Sequence, residues 1–218
     1  MHELSWPLEA EITARTLRMG FSALAIALLL GLPIGIVLGR ARFPGRGAVV
    51  GLVNTGMGAP SVVVGLAIAM LLWRSGPLGG LDLMYSLEAM VIAQVVIALP
   101  LVIGITLAAV GALDPEWELQ ARSLGIPPHW RTWLLLREIR LGLLAAVIAA
   151  LGSILSSVGA VLMVGGNLAG ETRVLTTSIV MFTEMGAFDR AIALASVLLG
   201  LMLVLSAVLT AIQKSGRR

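Results

Sequence analysis

The sequence predicts an all-α membrane protein with five transmembrane helices. Of its 218 residues, 58% are hydrophobic and only 12% are charged, and the mean hydropathy is +1.00. A soluble domain is nearer to half apolar and a quarter charged. The apolar residues fall into five stretches, each of at least the roughly 20 residues that a helix needs to cross a bilayer. The predicted spans are residues 16–39, 47–73, 87–112, 139–165 and 190–212.

The distribution of arginine and lysine predicts the orientation of the spans. With the N-terminus outside, about twice as many basic residues fall on the cytoplasmic side as on the outer side, in agreement with the positive-inside rule. Arg15 and Arg18 count weakly against this orientation. We therefore expect an outer N-terminus and a cytoplasmic C-terminus. A further apolar run, residues 174–183, is too short to span and is expected to form a re-entrant or interfacial helix.

The first span contains the sequence "GLPIGIVLG", in which Gly31, Gly35 and Gly39 lie four residues apart. This spacing places three small residues on one face of a helix, where they allow a neighbouring helix to approach closely. The pattern predicts packing within the bundle.

Weakly polar residues recur in the second, third and fourth spans. Asn54, Gly58, Ser61 and Gly65 have the spacing of one face of a continuous helix, although Pro60 is expected to bend or unwind that helix. Each such residue could instead bond to its own helix or pack against a neighbour. Together they predict a polar path, and its candidate lining residues are Asn54, Ser61, Gln94, Ser153 and Ser157.

Three other classes of membrane protein are considered. A carrier or channel that works without ATP is disfavoured, because ionisable residues are missing from the middle of the predicted spans and an inverted repeat is not evident. An intramembrane enzyme with a Ser–His dyad is excluded, because His2 and His129 lie outside the spans. A passive assembly subunit would need no polar stripes.

Residues 114–138, between the third and fourth spans, form the longest charged segment. Asp114 is a favourable N-cap and Pro115 suits the first helical position. Glu118 and Arg122 are four residues apart and can form an ion pair. Gly125 is expected to end the helix in the left-handed conformation, which predicts a helix over residues 115–124.

A second amphipathic helix is expected to lead from this segment into the fourth span. A surface linker does not need two capped helices, nor the tryptophans Trp117, Trp130 and Trp133. A rigid docking element for a cytoplasmic partner is the better interpretation.

The segment "ELQARSLGIPPHWRTWLLLREIRLGLL" resembles the cytoplasmic signature loop of ABC-importer membrane subunits. That pattern is Glu-Ala-Ala, three residues, a glycine, nine residues and Ile-x-Leu-Pro. When the pattern is anchored on Gly125, its last alanine is Ala121, and Leu124 precedes the glycine as in many members. Leu119 occupies the glutamate position, with Glu118 one residue earlier. A glutamine replaces the first alanine, and the terminal residues become Leu-Leu-Arg-Glu.

Three more segments are similar to tungstate-transporter permeases, and less closely to molybdate and sulfate permeases. They are "GMGAPSVVVGLAIAMLLWRSGPLG", "AMVIAQVVIALPLVIGITLAAV" and "SVGAVLMVGGNLAGETRVLTTSIVMFTEMGAFDRAIALASVLLG". The resemblance covers roughly residues 22–208. It implies one transmembrane permease domain over residues 1–218, of the five-helix molybdate- or methionine-permease type.

The resemblance also implies how such a subunit works. The loop would dock on a separate ATPase dimer, through residues Glu118, Ala121, Arg122, Leu124 and Gly125. The sequence lacks the G-x-x-x-x-G-K-S/T phosphate loop, so ATP and Mg²⁺ would be bound by that partner, and this chain would hold no catalytic, cofactor or metal site. A second copy of the permease and an extracytoplasmic oxyanion-binding protein would complete an importer in a prokaryotic cytoplasmic membrane. Nucleic acid is not expected to bind.

Overall fold

The computed structural model of the chain describes residues 6–114 and 116–215, and every regular element in these two ranges is helical. The predicted all-α class is therefore confirmed. His2 and Pro115 lie outside the described residues. The elements are a short 3-10 turn at Gly79–Leu81 and the helices α1 (Trp6–Arg40), α2 (Arg46–Met57), α3 (Ser61–Leu72), α4 (Leu87–Gly111), α5 (Trp117–Ser123), α6 (Pro128–Glu138), α7 (Arg140–Ser156), α8 (Gly159–Gly165), α9 (Leu175–Glu184) and α10 (Phe188–Ser215).

Three segments of single helices in the described ranges are long and apolar enough to cross a membrane. They are Glu9–Arg40, Leu87–Gly111 and Phe188–Gln213, which coincide with the first, third and fifth predicted spans. Two bent helix pairs, α2 with α3 and α6 with α7, also pass when each pair is taken as one unit. The structure is thus compatible with three to five crossings, and the number five stays a prediction.

The second predicted span is broken in the middle. α2 ends at Met57, α3 begins at Ser61, and their axes differ by 105°. Pro60 precedes α3 in an extended conformation, because proline has no N–H to donate to a preceding turn and its ring would clash there. The bend at Pro60 is therefore confirmed. The prediction that Asn54, Gly58, Ser61 and Gly65 share one helical face is wrong, because the helix axis turns between the first and the last of them.

The fourth predicted span, residues 139–165, is covered by α7 and α8. Ser157 has an extended backbone, with φ −72° and ψ 115°, and interrupts the helix there. α8 ends at Gly165 and is followed by Gly166, whose φ of +67° lies in the left-handed region that glycine adopts most readily. α6 meets α7 with a bend of 63°. The predicted short helix over residues 174–183 coincides with α9.

The packing of α1 against α4 confirms the prediction made from the glycine spacing. A Cβ atom on Gly31 would lie 2.7 Å from Val102 Cγ1, and one on Gly35 would lie 2.7 Å from Thr106 Cβ. Gly39 is equally close to Val110 four residues further along. Residue numbers rise together along the two helices, so α1 and α4 run parallel. Any larger residue at these positions would push the helices apart.

Two clusters of buried residues contain residues of α4, and a smaller one joins Ile12, Leu175 and Leu194. In one cluster, Ala93 and Ile97 of α4 join Ala160 and Val161 of α8. In the other, Ala98 of α4 joins residues of α1 and α7, namely Ala23, Ala27, Ala150, Ile154 and Leu155. Several core residues are alanines, which allow the helix backbones to come close. α4 is therefore the central helix of the chain.

Candidate functional site

The first candidate site is the helix pair α5 and α6, within the segment predicted to dock on a partner. α5 begins later than predicted, with Glu116 in the N-cap position and Trp117 as its first residue. Asp114 lies two residues before this N-cap position, and its Oδ1 atom accepts a hydrogen bond from the Glu116 N–H (2.8 Å), as expected of a capping aspartate. Such an Asx turn satisfies a backbone donor without continuing the helix.

The end of α5 agrees with the sequence prediction. Gly125 has φ +68° in the left-handed region. The Gly125 N–H donates to the Arg122 carbonyl (2.9 Å), and the Ile126 N–H donates to the Ala121 carbonyl (3.1 Å). This pair of bonds is a Schellman motif, which satisfies carbonyls that a helix end leaves free. α6 then begins at Pro128, so the two helices are joined by a short and well-defined turn.

The carboxylate of Glu118 is the centre of an ion-pair cluster. Arg122 donates from Nε at 3.1 Å and Arg131 of α6 donates from Nη1 at 2.8 Å, both to Oε1. Arg40, the last residue of α1, donates from Nη2 to Oε2. The predicted pair of Glu118 with Arg122 is confirmed. Sequence reasoning missed Arg40 and Arg131, because their separation from Glu118 along the chain gives no periodic signal.

The cluster also changes the protonation of Glu118. Partial burial by itself raises the pKa of this carboxyl group, but the hydrogen bond from Arg122 and the positive charge of Arg40 outweigh burial. The net pKa lies below the ordinary value of 4.5, so Glu118 is ionised at neutral pH. Three arginine donors around one carboxylate fix the orientation of α5 relative to α1 and α6.

This helix pair also exposes apolar side chains. Leu119 is 64% exposed and Leu124 is 77% exposed. Trp130 and Trp133 of α6 are about half exposed and meet edge to face at 5.7 Å, and the Arg137 guanidinium lies 5.5 Å above the Trp133 ring. Ala121, in contrast, is buried. An apolar patch of this kind on a charged segment is typical of an interaction surface.

The five candidate path residues have different surroundings. Gln94 is fully buried, and both atoms of its amide lack a hydrogen-bond partner within the described part of the chain. The hydroxyl of Ser157 is buried and unpaired in the same sense. Ser61 and Ser153 are half-buried, and Asn54 is exposed on α2. α2 has no buried residue in the single chain.

Gln94 and Ser157 lie at corresponding places in the core. Gln94 follows Ala93 of one core cluster and precedes Ala98 of the other. Ser157 lies between Ile154 and Ala160, which belong to the same two clusters in the reverse order. The two unpaired groups therefore lie in elements that pack against each other, α4 and the segment of α7 and α8. Asn54 is not gathered there.

A second polar network ties the N-terminal part of α1 to the loop before α9. The Arg15 guanidinium donates to the carbonyls of Gly170 (2.7 Å) and Arg173 (3.0 Å), and it pairs with Glu11. The buried Thr16 hydroxyl oxygen accepts the Leu175 N–H at 3.0 Å. Sequence reasoning used Arg15 only as a charge, although an arginine beside an apolar span is a signal of a specific partner.

The helices and the charged segment together define the class of the molecule. It is a membrane protein built from several apolar helices, with a charged helix pair, α5 and α6, that exposes apolar side chains. Over residues 31–216 the chain matches the family described as "Binding-protein-dependent transport system inner membrane component". The chain belongs to this family and is an inner membrane component of an ABC transporter. Membership implies a binding protein and an ATPase as partners.

Relatives with assigned names agree with this class. The chain is 39% identical over 201 residues to a "Probable anion ABC transporter permease protein" of Haloferax volcanii, covering 90% of this chain and 87% of the relative. It is 38% identical over 193 residues to the "Tungstate uptake system permease protein TupB" of Peptoclostridium acidaminophilum, covering 88% and 85%. It is 30% identical over 214 residues to the "Sulfate transport system permease protein CysT" of Escherichia coli, covering 93% and 76%.

A solved structure supports the fold. A chain of the structure described as "Crystal structure of an amino acid ABC transporter with histidines" superposes on this chain with a TM-score of 0.66. The sequence identity is 21%, and the match covers 96% of this chain and 94% of the other. The fold is therefore the all-helical ABC permease fold. The named relatives are permease proteins, which are transport components rather than ATPases.

Proposed function

We propose that this chain is the membrane-spanning subunit of an ATP-driven oxyanion importer and that its substrate is tungstate. The observation that carries the proposal is the 38% identity with a tungstate uptake permease over 88% of this chain. The probable anion permease at 39% identity supports the wider class. Molybdate and sulfate are the alternative substrates, and the 30% identity with a sulfate permease makes sulfate the more distant one.

The proposed topology has five crossings, an outer N-terminus and a cytoplasmic C-terminus. α1, α4 and α10 each cross once, and the broken pairs α2–α3 and α7–α8 supply the other two crossings. The parallel packing of α1 and α4 supports this scheme, because helices that run parallel cross in the same direction and need one return crossing between them. α6 would lie outside the apolar core, since it carries Arg131, Arg137 and Glu138.

The helix pair α5–α6 is the proposed docking element for the ATPase. The resemblance assigns to it Glu118, Ala121, Arg122, Leu124 and Gly125, which differ in how far they could reach a partner. Leu124 and the neighbouring Leu119 expose apolar surface that a partner cleft could bury. Ala121 is buried and Glu118 binds arginines of its own chain. ATP and Mg²⁺ belong to the ATPase in this proposal.

Two copies of the permease would form the path between them. α2 is uncovered in the single chain and exposes the amide of Asn54, whereas the apolar part of α10 exposes mainly apolar side chains such as Leu199 and Leu203, with the small hydroxyls of Ser196, Ser206 and Thr210 among them. A polar exposed face is unfavourable against lipid, while an apolar one is favourable. We therefore place α2 toward the second copy and α10 toward lipid. A two-fold axis would then give ten crossings around a central path.

The unpaired side chains Gln94 and Ser157 fit a path that is closed in this structure. A buried polar group without a partner destabilises the fold by about 1–3 kcal/mol. A protein with one fixed arrangement would gain nothing from keeping such a group. Water or a passing anion could satisfy both groups when α4 and the α7–α8 break separate. Neutral donors suit a permeating dianion, because a buried lysine or arginine would be costly and would hold the ion too tightly.

Reconstitution tests this function directly. The permease, its ATPase and its binding protein are placed in liposomes that enclose either ATP or ADP, and tungstate is added outside. We expect tungstate to accumulate only with ATP and the binding protein, with stronger competition by molybdate than by sulfate. Accumulation without ATP would identify a carrier instead. Stronger competition by sulfate would identify a sulfate permease.

A further inference from the structure

α1 is bound by polar contacts near both of its ends. Near the N-terminal end, Arg15 binds two carbonyls of the loop that precedes α9, and Thr16 binds the first residue of α9. At the C-terminal end, Arg40 binds Glu118 of α5. The rise of an α-helix places these two contact points about 37 Å apart. One helix therefore joins the docking element to a loop at the other end of the bundle.

The middle of α1 is fixed as well. The three glycine contacts with α4 leave no room for an added Cβ atom. Pro33 lies within this close contact, and α1 is nevertheless one continuous helix from Trp6 to Arg40. The neighbouring helix supports α1 at the position where proline removes a backbone hydrogen bond. A displacement of one end of α1 is therefore expected to reach the other end.

The face of α5 that bears Glu118 differs from the face that could meet a partner. The Glu118 side chain is 27% exposed and its partner Arg131 is 17% exposed, whereas Leu119 and Leu124 point outward. Glu118 binds one arginine of α1, one of α5 and one of α6, so a single carboxylate joins three helices. Charge-assisted bonds of this kind impose a defined geometry. Such a geometry suits a contact that must transmit movement, and the contact of Glu118 with Arg40 is called the joint below.

We propose that α1 transmits movement between the docking helix α5 and the loop before α9, with Glu118 and Arg15 as its positioning residues. The proposal rests on the proposed function, in which α5 binds an ATPase and that loop lies on the side of the binding protein. In it, Glu118 does not hold the ATPase. When α5 moves, the ion pair of Glu118 with Arg40 moves α1. The hydrogen bonds of Arg15 then move the carbonyls of Gly170 and Arg173.

The first test separates docking from transmission. The complex of permease, ATPase and binding protein is prepared with Glu118→Gln or Arg40→Met, and with Glu116→Gln and Arg42→Met as exposed controls. We expect each test variant to retain co-purified ATPase. The stimulation of ATP hydrolysis by tungstate-loaded binding protein should fall about tenfold. Unchanged stimulation would overturn the proposal. Loss of the ATPase would also overturn it, because Glu118 would then be a docking residue.

A covalent bridge between positions 40 and 118 tests the same joint after both charged side chains have been removed. The natural chain has no cysteine, so Arg40→Cys with Glu118→Cys provides one defined pair of thiols. We expect this double variant to be uncoupled when reduced and to regain stimulation when a short bis-methanethiosulfonate reagent bridges the pair, each cysteine displacing a sulfinate. Stimulation should be lost again when the disulfides of the bridge are reduced. Failure of a confirmed bridge to restore any stimulation would show that the joint does not transmit movement.

The outer end of α1 completes the test. Arg15→Met should lower stimulation as Glu118→Gln does, while the exposed control Arg18→Met should not. The double variant Arg15→Met with Glu118→Gln should lose no more than the more severe single variant, because both break one connection. Losses that multiply would mean two independent effects and would overturn the proposal. Wild-type complex in the same preparation provides the reference: its failure to respond to any oxyanion would count against the proposed function, not against α1.

Discussion

Glu118 and Gln94 are two polar side chains that are buried to different degrees and that differ in their hydrogen bonding. Glu118, at the α5 end of the bundle, accepts hydrogen bonds from three arginines. Gln94, in the middle of α4, is fully buried with no partner for either amide atom in the described ranges. The first arrangement favours one geometry strongly. The second carries a cost that another arrangement of the same helices could remove.

This difference separates the parts of the molecule that hold position from the part that changes. The paired groups lie at the ends of α1, on the docking segment and on the loop before α9. Gln94, Thr106 and Ser157, whose buried polar side-chain atoms have no described partner, lie on α4 and at the break between α7 and α8. Single unpaired atoms also occur at the two ends, on Arg131 and Arg173, but the guanidinium groups of both residues make other hydrogen bonds. A transporter needs both kinds of region, because fixed elements must move as units while the path between them opens and closes.

The largest effect is expected from breaking the turn that fixes the paired end. Gly125 has φ +68°, and an added Cβ would meet nothing within 4 Å, so Gly125→Val is penalised only by its left-handed backbone, about 1–2 kcal/mol. The displaced α5 should reduce stimulation of ATP hydrolysis by loaded binding protein about tenfold or more. Gly125→Asn is the control, because asparagine tolerates this conformation better. Normal stimulation in a stably inserted Gly125→Val variant would contradict the docking assignment.

The second prediction concerns water access to the unpaired region. Single cysteines at Asn54, Ser61, Gln94, Ser153 and Ser157 should react with a small water-soluble thiol reagent in at least one nucleotide state. Gln94→Cys and Ser157→Cys should change most between states, because both positions are buried in this structure. Cysteines at the exposed apolar positions Leu29 and Leu203 should stay protected by lipid. Equal protection at all seven positions would remove the path assignment.

Sequence reasoning worked where a local pattern determines the structure. The glycines of α1, the break at Pro60 and the stop at Gly125 each follow from backbone geometry within a few residues. It failed for the shared face from Asn54 to Gly65, because the size of the bend expected at Pro60, 105°, could not be predicted from the sequence. It could not find the Arg40–Glu118 pair or the Arg15 contacts, because these join residues that only the tertiary packing brings together.

The third prediction compares a satisfied buried group with an unsatisfied one. Thr16→Val removes the acceptor of the Leu175 N–H and should destabilise the purified permease by about 1–3 kcal/mol. Gln94→Leu removes donors and acceptors that have no described partner, so it should leave stability unchanged or raise it by about 1 kcal/mol. The measurement is unfolding of both variants in the same detergent.

The transport activity of Gln94→Leu completes that comparison. If Gln94 serves the open path, uptake should fall while stability does not, which is the usual trade between stability and function. If Gln94→Leu destabilises the permease as much as Thr16→Val, the amide has a partner in the resting protein, and the contrast between the two regions is wrong.

The smallest effect is the pH dependence of the paired cluster. The pKa of Glu118 lies below the ordinary value of 4.5, because its arginine partners outweigh the effect of partial burial. A carboxyl group with a lowered folded pKa adds stability above its unfolded pKa and loses that stability as the pH falls through the folded one. The difference in unfolding free energy between wild type and Glu118→Gln should therefore be at most about 1 kcal/mol, constant from about pH 8 to pH 5, and should close below 4.5. The exposed control Glu116→Gln should show no comparable difference. A difference that closes well above pH 5 would mean that the Glu118 carboxylate is not held by its arginines, and the docking end would then be no better fixed than the path.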